Sequence, residues 1–475
     1  MANHYRGALQ TQDQEISLDH LPVAGQIPHW LSGTLLRNGP GKFEQGGQKY
    51  RHWFDGMAML HRFAFHKGEV SYTNRFLRSS AYTKGREEGK ICYSEFATDP
   101  CRSLFKRVAS LFETNDHLAP VPNAGVNLAR LDDAFIAMTE TPIPVQFDAQ
   151  TLETIGVIDF QDKLAGHMTT AHPHFDPAMQ AGINYMANFS AKSTYNVFAF
   201  TKQQRRLIGS LPVREPAYMH SFGMTRNYII LVEFPLVIEP LKLMLSGKPF
   251  YENMLWKPER GARFLVMSKH DGSLAGTYES EAFFAFHHIN AFEQDGDILV
   301  DLAAFPDARI LDQLYMDNLL GPKGGALSQS SYRRYRLSPG QTKTSYEQLS
   351  AETIELPRIN YERNNGIEYR FAYGVSQHGK QRDDFLDQLV KVDCTERSTK
   401  IWYAEGCYPG EPVFVAAPDT SDEDEGVVLS VIFDAQRESS FLLVLDARSF
   451  TELARAEVPQ HIPLGFHGIY THGVN

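Results

Sequence analysis

One short pattern recurs along this chain of 475 residues and limits the folds open to it: an alternating apolar run, a polar turn, then a second run. It spans Phe63 to Tyr72, Val145 to Val157, Val197 to Gly209, Phe264 to Tyr278, Tyr335 to Tyr346, Val390 to Trp402 and Leu443 to Leu453. Period-two apolar spacing around such turns is the hairpin signal. The turns fall near residues 66, 148, 202, 271, 337, 393 and 446, so neighbouring turns are 53 to 82 residues apart. One four-stranded propeller blade with its loops needs about that much chain. The length is also too great for one ordinary core, and it calls for several domains or one large closed architecture. Seven hairpins predict an all-β fold, a seven-bladed β-propeller closed so that no sheet edge is left long and bare. Residues 1–475 then form a single domain, with helical insertions and loops making a cap over its centre. A pair of β-sandwiches with unrelated hairpins is the competing architecture.

The longest interval has a different texture. Between Cys101 and Glu113, Leu104, Phe105, Val108, Leu111 and Phe112 fall at helical spacing with Arg102, Lys106 and Arg107 between them. Such a basic amphipathic helix either lies on a membrane surface or caps the propeller core. The most apolar stretch, Tyr228 to Leu245, is interrupted by Glu233, Pro235, Glu239, Pro240 and Lys242, so it is not a spanning helix. Met1 to Glu15 is polar and has no apolar leader run, so the expected location is cytoplasmic, with any membrane contact peripheral.

Charge and cysteine usage exclude other classes. Lys plus Arg number 46 against 57 Asp plus Glu, a net charge of −11, which argues against nucleic acid as the main partner. Four scattered cysteines make neither a disulfide scaffold nor a zinc knuckle. Gly321-Pro322-Lys323-Gly324-Gly325 lacks the context of a phosphate cradle and reads as a loop. The acidic run Ser421 to Glu425 reads as a solvated loop. No Ser/His/Asp or Cys/His nucleophile signature stands out. That leaves eighteen histidines to explain.

Four of them keep step with the repeat. His172, His220, His287 and His467 lie 24, 18, 16 and 21 residues beyond the turns at 148, 202, 271 and 446, where the inner strand of the next blade would begin. The other repeats carry a glutamate instead: Glu355 and Glu411, each 18 residues beyond its turn, and Glu140 after the long first insertion. One such residue per blade, on inner strands, would converge on the propeller axis. Four neutral imidazoles there would ligate a divalent metal, and the glutamates would accept hydrogen bonds from the outer ring nitrogens, fixing tautomer and orientation. The carboxylates would also offset the metal's charge in a poorly solvated site. Structural zinc prefers cysteine-containing tetrahedra, whereas an all-imidazole site with open positions suits iron that must bind dioxygen. The competing reading of any one histidine is a buried side chain satisfied by backbone groups.

The segments Leu35-Leu36-Arg37-Asn38-Gly39-Pro40-Gly41, Trp53-Phe54-Asp55-Gly56-Met57, Phe286-His287-His288-Ile289-Asn290, Tyr408-Pro409-Gly410-Glu411-Pro412 and Gly465-Phe466-His467-Gly468 resemble, in order, the signature segments of the carotenoid cleavage oxygenases. The resemblance runs almost the whole chain. It implies a seven-bladed propeller with Fe(2+) held by His172, His220, His287 and His467 and backed by Glu140, Glu355 and Glu411. His288 is not carried over, because only the histidine following Phe binds iron in that motif. Ser94-Glu95-Phe96, Asp99-Pro100-Cys101 and Thr170-Ala171-His172-Pro173-His174 look closer to the animal carotene oxygenases and retinoid isomerase than to the plant epoxycarotenoid or stilbene enzymes.

The resemblance further implies oxidative cleavage of a carotenoid or apocarotenoid double bond to aldehydes, with an apolar polyene and O2 as partners. It places the membrane-docking surface at 101–113 and 234–248, and it implies no protein partner. Cys101 resembles the cysteine of an Asp-Pro-Cys motif for which lipidation has been proposed in animal relatives, although burial is the simpler expectation. The 31 Phe and 21 Tyr could line a tunnel for such a substrate. Retinoid ester isomerisation and stilbene cleavage are the alternatives on this fold, and a non-catalytic propeller scaffold is the alternative outside it.

Overall fold

The computed structural model describes residues 4–99, 121–190, 192–322, 324–379 and 384–473. Seven antiparallel sheets of four to six strands form the ring of a β-propeller. In each blade the third and fourth strands from the axis are one of the hairpins expected from the sequence. Five hairpins pair the very residues that bound the pattern: Phe63 with Tyr72, Val145 with Val157, Val197 with Gly209, Phe264 with Tyr278 and Tyr335 with Tyr346. In the sixth, Val390 pairs with Ile401, one residue from Trp402. In the seventh, a bulge between Val444 and Leu445 sets Leu443 opposite Arg455.

Burial explains why these hairpins are readable. The outer strand Glu69–Phe76 alternates between buried and more open positions along its length. The strand Gly426–Asp434, nearer the axis, is buried at every position but its ends. Its Val427 and Leu429 pack with Phe63 and Phe65 of the first blade, while Val428 and Ile432 pack with Tyr373 and Val375 of the sixth. Inner strands are therefore apolar on both faces, and their periodicity is masked.

The ends of the chain close the ring. Gly468–Thr471 pairs with Gly33–Lys42, joining Arg37 to Gly468 in register, and Val23–Gly25 adds to the outer edge of the last blade along Glu452–Val458. The close approach that this closure needs falls at Gly39, where a Cβ would overlap the backbone of Gly465.

Antiparallel order puts the seven hairpin turns on one face of the ring. The connections between second and third strands, and between blades, lie on the other, and they carry the insertions. These include the helices Ser80–Glu88, Pro240–Leu245, Arg309–Gln313 and Met316–Leu319, and the small sheet formed by Leu236–Ile238 and Met254–Trp256. Together they make the expected cap. Gly321 and Gly324 sit in a loop that follows Met316–Leu319.

Two expectations change. The acidic run is tied down rather than freely solvated: Asp424 bonds Lys391 at 2.6 Å, Glu423 accepts from the amides of Arg370 and Phe371, and Asp422 pairs with Arg448. Within 234–248, Phe234, Leu236, Val237 and Ile238 are buried and Leu243 packs on the core, leaving Lys242, Ser246 and Lys248 as exposed positions. The segment 101–113, with Cys101, lies outside the described residues. No helix among the described residues is long and apolar enough to cross a membrane.

Candidate metal centre

Each of the four histidines is delivered to the axis by an inner strand or its flank. His172 follows the two-residue strand Met168–Thr169, His220 precedes Gly223–Met224, and His467 precedes Gly468–Thr471. His287 lies within Phe284–Gln294, inside the register shift between Ala285 and His288 that re-aims the strand. Thr170 couples two of the segments: its hydroxyl donates to the His220 carbonyl and accepts from the His172 amide at 3.0 Å. The four potential ligand nitrogens lie within 4.8 Å of one another.

Three of the four rings are oriented by a carboxylate. His220 Nδ1 lies 2.8 Å from Glu140 Oε1, His287 Nδ1 2.6 Å from Glu355 Oε2, and His467 Nδ1 2.8 Å from Glu411 Oε1. Glu355 begins the inner strand of the sixth blade, and Glu411 lies between the inner strands Cys407–Pro409 and Val413–Ala416 of the seventh. Glu140 departs from the expected inner-strand position. It sits on the connection after Ala134–Met138, and reaches the axis because the Thr169 amide bonds its carbonyl at 2.8 Å.

The donor set fits a bound cation. A neutral imidazole that donates from Nδ1 to a carboxylate presents a bare lone pair at Nε2. His287 Nε2 and His467 Nε2 nevertheless face each other at 3.1 Å, and His172 Nε2 and His220 Nε2 at 3.0 Å. For His287 and His467, both of whose Nδ1 atoms face carboxylates, two lone pairs so placed repel unless a cation lies between them. Ligands about 2.1 Å from one ion stand roughly 3.0 Å apart at right angles, against about 3.4 Å in a tetrahedron. Burial first, offset only in part by Glu411, pushes His467 down to about 3 and keeps that ring neutral near pH 7. Burial and then the neighbouring imidazoles hold His172 well below the ordinary range.

The carboxylates rest on different supports. Burial alone would raise Glu411, but Arg358, His467 and Arg37 outweigh it and hold the carboxyl at about 2. The Arg37 guanidinium pairs with Glu411 and donates to the Phe466 carbonyl at 2.9 Å, while the Gly468 amide bonds Glu411 Oε2 at 3.0 Å. Tyr218 donates to Glu140 Oε1 at 2.7 Å. Arg37, Arg358 and Tyr218 were not among the site residues read from the sequence. A signal existed for two of them, because Arg37 interrupts an apolar strand and Tyr218 stands two residues before His220. His288 turns away from the cluster, with Nδ1 2.8 Å from Ser221 Oγ.

A cavity of about 800 Å3 opens on the cluster beneath the cap. His220, His287 and His467 border it, and Phe54, Phe96, Phe250 and Phe286 give it aromatic walls.

A closed seven-bladed propeller with four convergent imidazoles and an apolar chamber beside them defines a class: mononuclear metal-site propellers built to take an apolar ligand. Within that class, the chain belongs to the carotenoid oxygenase family, whose model, described as retinal pigment epithelial membrane protein, matches residues 9–472. It is 38% identical to the mitochondrial carotenoid-cleaving dioxygenase of Macaca fascicularis over 94% of this chain and 91% of that one. It is 32% identical to the beta,beta-carotene 15,15'-dioxygenase of Homo sapiens, again over 94% and 91%. Among solved structures, cobalt-substituted Synechocystis apocarotenoid oxygenase superposes with a TM-score of 0.86 at 25% identity, covering 99% of this chain and 98% of that one.

Proposed function

We propose that the whole chain is one non-haem iron(II) dioxygenase unit, which splits a conjugated double bond of a carotenoid or apocarotenoid into two carbonyl products. The observation that carries this reading is the convergence of four imidazoles at the wall of an aromatic-lined chamber, three of them backed by carboxylates. His172, His220, His287 and His467 are the ligands, and Glu140, Glu355 and Glu411 orient the last three. Iron(II), when bound, supplies the position and the electrons by which dioxygen becomes reactive toward an alkene.

The protein's own part is geometric. Neutral ligands leave the ion's charge undiminished, the carboxylates hold each Nε2 inward, and the Phe54, Phe96 and Phe286 rings exclude water from the chamber. No protein nucleophile is needed: one C=C and one O2 become two C=O groups. The relatives named for carotenoid cleavage support this substrate class. A polyene insoluble in water would arrive from a bilayer, so the chain would sit in the cytoplasm and touch membrane through 240–248 and the 101–113 segment.

Iron-loaded protein given β-carotene or an apocarotenal under labelled oxygen should release two shorter carbonyl compounds, each carrying one labelled atom. A retinyl ester offered in their place and converted to an alcohol and a fatty acid, with no oxygen consumed, would indicate ester isomerisation instead. Unchanged substrate across a panel of polyenes would overturn the proposal. His220→Ala should lose iron, and unchanged iron content would remove that residue from the ligand set.

A further inference from the structure

Ten residues other than glycine hold a positive φ among the described residues, and all but one lie in the turns and loops between strands. The exception is Leu356, at a φ of 46° inside the inner strand Glu355–Arg358 of the sixth blade. A left-handed backbone crowds the Cβ of leucine against its own carbonyl, so the surrounding structure must enforce it, as happens at functional sites. The facing strand shows how. Glu355 pairs with Val375 and Arg358 with Tyr373, so Leu356 and Pro357 together stand against Gly374. That two-to-one count is a β-bulge, a feature in which the left-handed residue is ordinarily glycine. At Gly374 a Cβ would lie 2.5 Å from Ile354 Cγ1 and 2.9 Å from the Glu355 carbonyl oxygen, so the bulge occupies the space this glycine leaves.

The bulge adjoins the histidine cluster. The Leu356 amide donates to Glu355 Oε2 at 2.9 Å, the same oxygen that His287 Nδ1 approaches to 2.6 Å. Among the described residues no other donor bonds this carboxylate, and Oε1 has no partner. Glu411, by contrast, is held by Arg37, Arg358 and the Gly468 amide, and Glu140 by Tyr218. With the peptide between residues 355 and 356 turned toward the carboxylate, the chain regains the ladder at Arg358 by passing through the left-handed region at Leu356. The leucine side chain meanwhile packs with Tyr373 and Val375 and borders the chamber. We propose that the Leu356–Pro357 bulge orients the metal centre, with Leu356 as a positioning residue whose left-handed backbone aims its amide at Glu355, which in turn holds the His287 ring with Nε2 inward. The proposal rests on the reading of the four histidines as metal ligands.

Size and backbone preference are separable at this position. Isoleucine and methionine keep the bulk of leucine, but β-branched isoleucine resists a left-handed φ, whereas glycine loses the side chain and accepts that φ freely. Iron-loaded wild type, Leu356→Met, Leu356→Ile and Leu356→Gly are challenged with excess chelator, and the rate of iron loss is measured. The visible absorption of each cobalt-substituted protein is recorded alongside. Leu356→Ile should lose iron about tenfold faster, the lower end of what losing a ligand's outer partner costs, and should shift the cobalt bands. Leu356→Gly should stay within about twofold of wild type with its bands in place, even though the lost packing makes it the less stable variant in urea. Leu356→Met should match wild type. Gly374→Ala disturbs the bulge from the facing strand and should reproduce the Leu356→Ile result, so either variant decides if the other does not fold. Faster loss from Leu356→Gly than from Leu356→Ile, or equal rates throughout, would overturn the positioning role and leave Leu356 a packing residue alone. A wild type that takes up neither metal would instead overturn the four-histidine reading, and this proposal with it.

Discussion

Arg37 and Glu411 show how much of the centre depends on single side chains. Their ion pair is buried, with side-chain exposures of 6% and 0%, and Glu411 also orients His467. Removing Arg37 leaves Glu411 charged in a dry interior with only the more distant Arg358 to offset it, at a cost of up to about 3 kcal/mol. Arg37→Met should therefore lower the thermal midpoint and reduce bound iron together, read by calorimetry and metal analysis. A variant as stable and as iron-replete as wild type would sink the assignment. Sequence could point to the four histidines and three glutamates because each stands at a similar phase of the repeat. It could not point to the Arg37–Glu411 pair as a pair, since 374 residues separate them and only ring closure brings them together.

At the scale of elements, legibility follows exposure. Outer hairpins alternate because one face meets a neighbouring blade and the other is more open. Inner strands such as Met168–Thr169 are two residues long and buried, too short for any period to register. Glu140 was expected on such a strand and instead sits on a connection, whose path no local pattern encodes. The acidic run was misread for a related reason: its partners, Lys391 and the backbone of Arg370 and Phe371, belong to the preceding blade. Lys391 is nearly buried, bonding Asp424 and the Ala447 carbonyl at 2.6 and 2.8 Å with its ammonium 4.2 Å from the Phe371 ring. Lys391→Met should destabilise by about 2 kcal/mol, less than for a fully buried pair because Asp424 is partly exposed. Adding Asp424→Leu should recover much of that loss in urea unfolding. Additive losses would show that the two side chains are not coupled.

For the molecule as a whole, buried imidazoles set the response to acid. Burial holds His52 at about 4, and His61 and His288 at about 3. Between those values and 6.5 the unfolded chain binds protons that the folded chain refuses, so their contribution is full above pH 6.5 and falls as pH drops. At pH 5 each costs about 2 kcal/mol. Asp55 and Asp387, raised by burial to about 6, act in the opposite sense by about 1.4 kcal/mol each. The histidines prevail, and the net loss is about 3 kcal/mol. The urea midpoint should thus fall between pH 7.5 and pH 5, and a flat profile would contradict the burial of these rings. At this scale the ring was legible, since each hairpin marks one blade. The chamber was not, because its walls come from cap segments of irregular length drawn from most of the blades.

The pairing of Gly33–Lys42 with Gly468–Thr471 has a temporal side. A ribosome releases the first of these strands more than four hundred residues before the second, and His467 emerges last of the four imidazoles. Until then the first blade lacks its innermost strand and the imidazole cluster lacks its fourth nitrogen. The four-histidine cluster is consequently completed late in the life of a nascent chain, and any product that stops short of residue 467 emerges with its axis open and its set of imidazoles incomplete.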